Sequence, residues 1–437
     1  MRKARKRRMI TVSIVIALVL SLTACNGNTD SQLKGQQKSK TKDLMAGRMD
    51  AAYCWDDTVF AVDGYDASKV TAALSEFSIR MFEENLKEKD DSDTNILISP
   101  ISVITALGMT TYGAKGNTLS QMEEVFGVER GYLTNHNEHY MNQESKVLKL
   151  ANSIWFTNDN RLIVNDAFLA FNEEYYGASI YETAFNAATV DSINDWVEKK
   201  TNGMIKNILD EIPADAVMYL INALAFEAEW ANKYDETQIW EDVKFTTEKG
   251  EVQKVDMMRS EESLYLSDEA AKGFIKYYKG CEYAFVALLP NESITVADYV
   301  KNLSGEHLQE LLSNPYKGAM VNAYLPQFSY EYSVEMSELL KEMGMTDAFD
   351  SSKADFSAMA TSTRGNIFMN RVIHKTFIEV SPVGTKAGAA TVVEMLNECE
   401  PVYDEIHELR LDRPFLYMII DCENNMPVFI GAVNSVE

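Results

Sequence analysis

The twelve residues from Gly384 to Met395, G-T-K-A-G-A-A-T-V-V-E-M, restrict the fold of this 437-residue chain more than any other stretch. Small residues dominate it, although loops favour Asn, Asp, Ser and Pro and ordinary strands favour bulkier side chains. Divided by the strand period of two, one face carries Thr385, Ala387, Ala389, Thr391, Val393 and Met395, with no charge. The other carries Gly384, Lys386, Gly388, Ala390, Val392 and Glu394. Such a segment is built as a strand with one side that a core can take up. Read alone, it is equally well an ordinary core strand.

Composition sets outer bounds. Hydrophobic residues make up 46% of the chain, enough for one large domain or two ordinary ones. The net charge is −25. Residues 1–24 hold six basic and no acidic side chains, so without them it becomes −25 − 6 = −31. An acidic surface of this size argues against nucleic-acid binding.

Residues 1–24 read as a signal peptide: a basic stretch from Arg2 to Arg8, then an apolar run from Met9 to Ala24. The run is short for a membrane-spanning helix. It ends L-T-A-C, which resembles a bacterial lipoprotein cleavage box and makes Cys25 the lipid attachment site. The mature protein is expected outside the cytoplasm, tethered to the cell membrane by lipid or secreted. Residues 25–66 read as a linker, largely disordered. Cys54, Cys281, Cys399 and Cys422 have no metal-binding spacing, so no metal is expected and they read as isolated thiols.

The folded body is expected from residue 67 to 437. Val70, Leu74, Phe77 and Met81 recur at helical spacing. Ser99 is placed as the N-cap of a helix with Pro100 at its first position, and Thr118 with Gln121 as the capping box of the next, closed by Gly127. Leu148–Phe156 reads as a strand, 164–176 and 190–209 as helices, 218–230 and 283–290 as strands. Phe415–Asp421 and Pro427–Val433 read as a buried hairpin. Helices cluster early and strands late, which indicates an α+β fold.

No enzyme motif is present: no G-x-S-x-G, H-E-x-x-H, G-x-G-x-x-G or Walker loop. His136, His139, His307 and His407 are expected at the surface. His374 heads an apolar strand, where a lone histidine is most often a hydrogen-bonded core residue.

Three blocks resemble the serpins, the serine protease inhibitor family. They are H-K-T-F-I-E-V-S-P-V-G-T-K-A-G-A-A-T (374–391), N-I-L-I-S-P-I-S-V-I-T-A-L-G-M-T-T-Y-G-A-K-G-N-T (95–118) and R-P-F-L-Y-M-I-I-D (413–421). The resemblance implies a serpin fold: a large central sheet, two further sheets, about eight to nine helices and an exposed reactive loop. It implies a polar cluster of Ser99, Ser102, Asn222 and His374 beneath the main sheet, and Trp230 at the sheet top.

It also implies a monomeric suicide inhibitor of a serine or cysteine protease, without cofactor, trapping its target in a 1:1 covalent complex. The hinge Gly384, Thr385, Ala387, Ala389, Thr391, Val393, Met395 inserts into the central sheet after cleavage. An inserting strand must lack Pro and must carry no charge on its buried face, and this one meets both demands. The family's usual offset places the reactive bond at Glu398–Cys399, within a range from Met395 to Tyr403. Two departures stand out: Pro382-Val383 replaces the acidic pair usual before the hinge glycine, and the loop is long. The alternative is a non-inhibitory serpin-fold binding or structural protein at the cell surface.

Overall fold

The computed structural model describes residues 14–24, 66–88, 92–142, 147–385 and 403–436. Its central sheet has six strands in the order β14 (Phe328–Glu335), β16 (Ile367–Val380), β1 (Ile14–Ala24), β6 (Ala216–Phe226), β3 (Leu148–Thr157) and β5 (Ser179–Thr183). A second sheet runs β10 (Tyr265–Ser267), β11 (Ala271–Tyr277), β12 (Tyr283–Pro290), β19 (Phe415–Asp421), β20 (Met426–Val433), β2 (Ile96–Ile98). A four-stranded sheet orders β18 (Glu405–Arg410), β13 (Ala319–Pro326), β9 (Val252–Glu262) and β8 (Ile239–Thr246). Two short pairs complete the set: β15 (Ala360–Ser362) with β4 (Leu162–Val164), and β17 (Gly384–Thr385) with β7 (Ala228–Glu229).

The helices are α1 (Ala67–Lys87), α2 (Pro100–Thr111), α3 (Gly116–Phe126), α4 (Arg130–Asn142), α5 (Asp166–Tyr176), α6 (Ala187–Lys200), α7 (Val296–Lys301), α8 (Gly305–Ser313) and α9 (Ser337–Glu342). The α+β expectation holds. In α1 the stripe Val70, Leu74, Phe77 and Met81 is buried, and the Asp66 carboxylate caps the first turn. All residues of α2 are buried, because it packs against both the central sheet and β20. Ser99 caps it as expected, with Pro100 next. The hairpin β19–β20 and strand β12 are buried along their whole length.

Several local expectations need correction. Helix α3 starts at Gly116, so Thr118 is not its cap. The hydroxyl of Thr118 instead accepts from Asp355 N at 2.9 Å, and Gln121 Oε1 accepts from Asp347 N at 2.7 Å. Val164 belongs to β4, and α5 begins only after Asn165, whose side chain caps it. The helix placed over 190–209 stops at Lys200, because Asn202 and Gly203 adopt positive φ (53° and 82°). The chain then folds back, and Asn194 Oδ1 accepts from the amides of Ile208 and Leu209. The strand placed over 218–230 is β6 followed by the separate β7. His136 is buried, not at the surface, and its ring nitrogen Nε2 has no partner among the described residues. Burial holds that imidazole neutral, with its pKa pushed down to about 4. His139, on the same helix, faces Asp421 at 3.2 Å.

The sequence reading assigned Ile14–Ala24 to the leader and foresaw no fold for it. In the structure it is a strand in the middle of the central sheet, antiparallel to β6 on one side and β16 on the other. The run I-V-I-A-L-V-L-S-L-T-A has no Gly, Pro or charge and is rich in β-branched residues, the pattern of a strand covered on both faces. Leu20 and Leu22 are fully buried in the main core, and Ser21 is buried on the opposite face. That opposite face is covered in part by α6, whose Ile193 and Val197 pack with Trp155, Tyr219 and Ile221 of the sheet.

Close helix crossing fixes one position in the body. A Cβ added to Gly305 of α8 would lie 2.4 Å from Glu76 N and 2.6 Å from Ala72 O of α1, both backbone atoms. Gly305→Ala is expected to lower stability by about 1–3 kcal/mol through this overpacking. Urea unfolding monitored by tryptophan fluorescence checks it.

Candidate functional site: the hinge and the strand slot

Strand β16 ends at Val380 and the chain reverses at once. Ser381 and Gly384 exchange backbone hydrogen bonds across Pro382 and Val383, each at 3.3 Å, and Ser381 Oγ donates to Gly384 O at 3.0 Å. Pro382 sits where its fixed φ suits the first corner of a tight turn. Its missing N–H costs nothing there. The departure noted in the sequence therefore has a structural use: Pro382-Val383 makes the reversal that turns the chain antiparallel to β16.

The reversal is clamped from the neighbouring sheet. Trp230 is buried and its indole Nε1 donates to Ser381 O at 2.8 Å. Trp230 N donates to Val383 O at 3.1 Å, and Tyr234 N to Pro382 O at 3.0 Å. The Trp230 ring stacks on Tyr278, with centroids 4.5 Å apart and planes 8° apart. Lys276, 2% exposed, sits over the rings of Trp230 and Tyr234 and pairs with Glu262 at 2.7 Å. A charge buried this deeply persists only because it is paired.

Of the hinge residues singled out in the sequence, Gly384 and Thr385 are described; Ala387, Ala389, Thr391, Val393 and Met395 lie outside the described residues. So do Glu398, Cys399 and Cys25. Gly384 and Thr385 pair with Glu229 and Ala228 at the top of the molecule, not with the central sheet. Thr385 is buried and shares a hydrogen bond of 2.9 Å with the Tyr278 hydroxyl. Gly384 has φ +143°, and a Cβ there would lie 2.3 Å from Ala228 O, so only glycine fits.

Below the clamp lies the polar cluster, and the four residues expected in it do come together. Ser102 Oγ donates to Asn222 Oδ1. Ser99 Oγ accepts from Ser102 N at 3.3 Å and donates to Val428 O at 2.8 Å. Ser99 N donates to Nε2 of His374 at 3.1 Å. Asn152, which the sequence reading did not single out, extends the chain: it accepts from Asn222 Nδ2 at 2.8 Å and donates to Tyr176 O at 2.7 Å.

Asn222 and His374 do not touch each other. Both pair in register with Leu18, so β1 stands between them. Since Nε2 of His374 is an acceptor, its proton sits on Nδ1, and that donor has no partner among the described residues. An orphaned buried donor costs about 1–3 kcal/mol. Burial alone pushes the His374 pKa down to about 3.

The clamp residues Tyr234, Glu262, Lys276 and Tyr278 were missed in the sequence. The one available signal was Lys276, a charge inside the apolar strand β11 whose neighbours Phe274 and Ile275 are buried.

The model for the family Serpin (serine protease inhibitor) matches residues 72–436. Human Serpin B13 is 30% identical over 83% of this chain and 99% of its own length. Mouse neuroserpin is 28% identical over 83% of this chain and 91% of its own. The crystal structure of tengpin, a thermophilic serpin, in its native state superposes with TM-score 0.78 at 39% identity, covering 91% of this chain and all of that one. Human thyroxine-binding globulin in complex with its hormone shares the fold at TM-score 0.73 and 23% identity. This chain is a member of the serpin family.

His374 and His136 set an acid limb. Each is neutral in the fold with a pKa below its unfolded value, so each contributes stability above pH 6.5 that is lost as pH falls toward 4 and 3. The contribution of these two histidines to the melting temperature is expected to be flat from pH 7 to 8 and to fall steadily below pH 6. His374→Gln, which keeps an acceptor for Ser99 N, is expected to make that fall shallower in calorimetric scans.

Glu379, half-buried near the top of β16, has the opposite sign. Desolvation raises its pKa to about 7, so the stability tied to its protonated form is lost as pH rises from 4.5 through 7. Glu379→Gln is expected to stabilise the protein at pH 8, by on the order of 1 kcal/mol after allowing for solvent screening, and to be neutral at pH 4. Parallel urea titrations at the two pH values check it.

Proposed function

We propose that this serpin is a suicide-type inhibitor of a serine protease, or of a cysteine protease with equivalent acyl chemistry. One observation carries the reading: the central sheet takes an extra strand between β6 and β16, antiparallel to both, at the foot of a hinge that already runs antiparallel to β16.

The protease nucleophile bonds to the carbonyl carbon at the reactive bond, placed at Glu398–Cys399. The C–N bond breaks, the leaving amine takes a proton from the protease's general acid, and an ester or thioester to the protease remains. The freed hinge leaves its clamp and enters the sheet as a strand, carrying Thr385, Ala387, Ala389, Thr391, Val393 and Met395 on the buried side. Each new backbone hydrogen bond contributes about 0.5–1.5 kcal/mol net. A dozen residues therefore supply on the order of 10 kcal/mol before ordering costs, as much as a whole domain's stability. The acyl-linked protease is dragged along and distorted before water can release it.

We also propose export, with residues 1–24 removed and a lipid on Cys25, so that the target is an extracytoplasmic protease met at 1:1 stoichiometry.

Incubation of the protein lacking residues 1–24 with a cognate protease should give a complex that survives boiling in detergent. Thr385→Arg puts a charge on the inserting face and should turn the protein into a substrate, cleaved without such a complex. Cleavage of the protein lacking residues 1–24 with no stable complex, across a broad protease panel, would instead favour a binding protein that has the fold without the trap.

A further inference from the structure

We propose that the chain's own leader segment, Ile14–Ala24, is a competing occupant of the insertion slot, and that the chain does not trap proteases until this segment is gone. The inference deepens the inhibitor reading and rests on it. Inhibition is thereby coupled to removal of the leader.

Four observations point the same way. The first is position: β1 lies between β6 and β16, and its backbone is in register with both from Val15 to Thr23, apart from one irregularity on each side near Ser21 to Thr23. The second is direction. The chain leaving the Ser381–Gly384 reversal runs antiparallel to β16, and so does β1. A hinge entering the slot would occupy the same ribbon in the same sense. The third is length, since β1 has 11 residues and Gly384 to Met395 has twelve. The fourth is the hinge itself, whose first two residues are held outside the slot against β7, under Trp230 and Tyr278.

A slot one strand wide admits one strand. With β1 in place the backbone edges of β6 and β16 are already satisfied, so the hinge has no unpaired ladder to join. Insertion would have to strip one strand to add another, which removes the net gain that drives the trap. The leader is well made for the place. It lacks Pro, Gly and charge, and Leu20 and Leu22 fill the core side. Removal of β1 leaves Asn222 and His374 facing each other across one strand's width. The filled state carries a cost at the polar cluster, where Nδ1–H of His374 has no partner among the described residues.

The test uses the full chain with residues 1–24 retained, the same chain with Leu20→Asp, and a chain starting at Asn26, which keeps the whole family match over residues 72–436. The first readout needs no protease. In the unaltered full chain the amides of residues 18–22 are expected to exchange at least about a thousandfold more slowly than in a free tail. Full chain and Asn26 chain are expected to differ in melting temperature, the full chain being higher. A soluble, lysine-flanked peptide of residues 14–24 should raise the melting temperature of the Asn26 chain.

The second readout is the detergent-stable complex. The full chain should be cleaved without forming it. The Leu20→Asp chain and the Asn26 chain should form it, and the added peptide should suppress it. Rapid exchange at residues 18–22, together with coincident melting curves, would overturn the proposal even if all forms trap proteases. Slow exchange and separated melting curves with no complex from any form would leave the slot assignment standing and sink the inhibitor reading instead.

Discussion

A strand edge inside a sheet cannot be left bare. Each backbone N–H and C=O that is buried without a partner costs about as much as a lost hydrogen bond. Strands β6 and β16 run parallel to each other, and the space between them fits one antiparallel strand. The rest of the molecule is arranged around what fills that space. Helix α2 supplies the floor on one face, α6 covers part of the other, and the Trp230 clamp holds the natural candidate for filling it outside.

This arrangement makes the central sheet a choice between states. The occupant seen is the N-terminal apolar run; the occupant proposed is the hinge beyond the reversal at Ser381–Gly384. A third possibility is direct contact between β6 and β16, which would join Asn222 to His374. In the state seen, His374 Nδ1 has no partner among the described residues. A polar network beneath an opening sheet is well suited to such a role. It resists partial opening, since any half-open form strands buried donors.

The clamp has a separate task. Thr385 is buried against Tyr278 and the turn closes over Trp230, contacts that on the proposed reading hold the hinge outside the sheet until the loop is cut. The contacts involved are a few hydrogen bonds and two stacked rings. A full strand's ladder is worth more than these contacts, which is what the proposed insertion requires. The lysine beneath the rings, paired with Glu262, ties this corner to the four-stranded sheet.

Much of this was legible in the residues alone. The helical stripe of α1, the Ser99–Pro100 helix start, the buried hairpin β19–β20 and the charge-free face of the hinge all follow from local patterning, because period and capping are properties of neighbours along the chain. The polar quartet was reached through family resemblance, and its wiring then came from the coordinates. Other features were invisible because they depend on residues distant in sequence. Thr118 was free to leave its helix cap once Asp355 came within reach, and His136 became buried only when α4 packed against α2 and α5. Pro382 looked like a loss at the hinge until the turn gave it a place. By itself the sequence determined that Ile14–Ala24 is apolar, uncharged and free of Gly and Pro. Only the tertiary structure decided that these properties, which suit a leader, equally suit the gap between β6 and β16, since hydrogen-bonding edges 152 residues apart (372 − 220), Leu220 and Val372 about Leu20, must first be brought side by side.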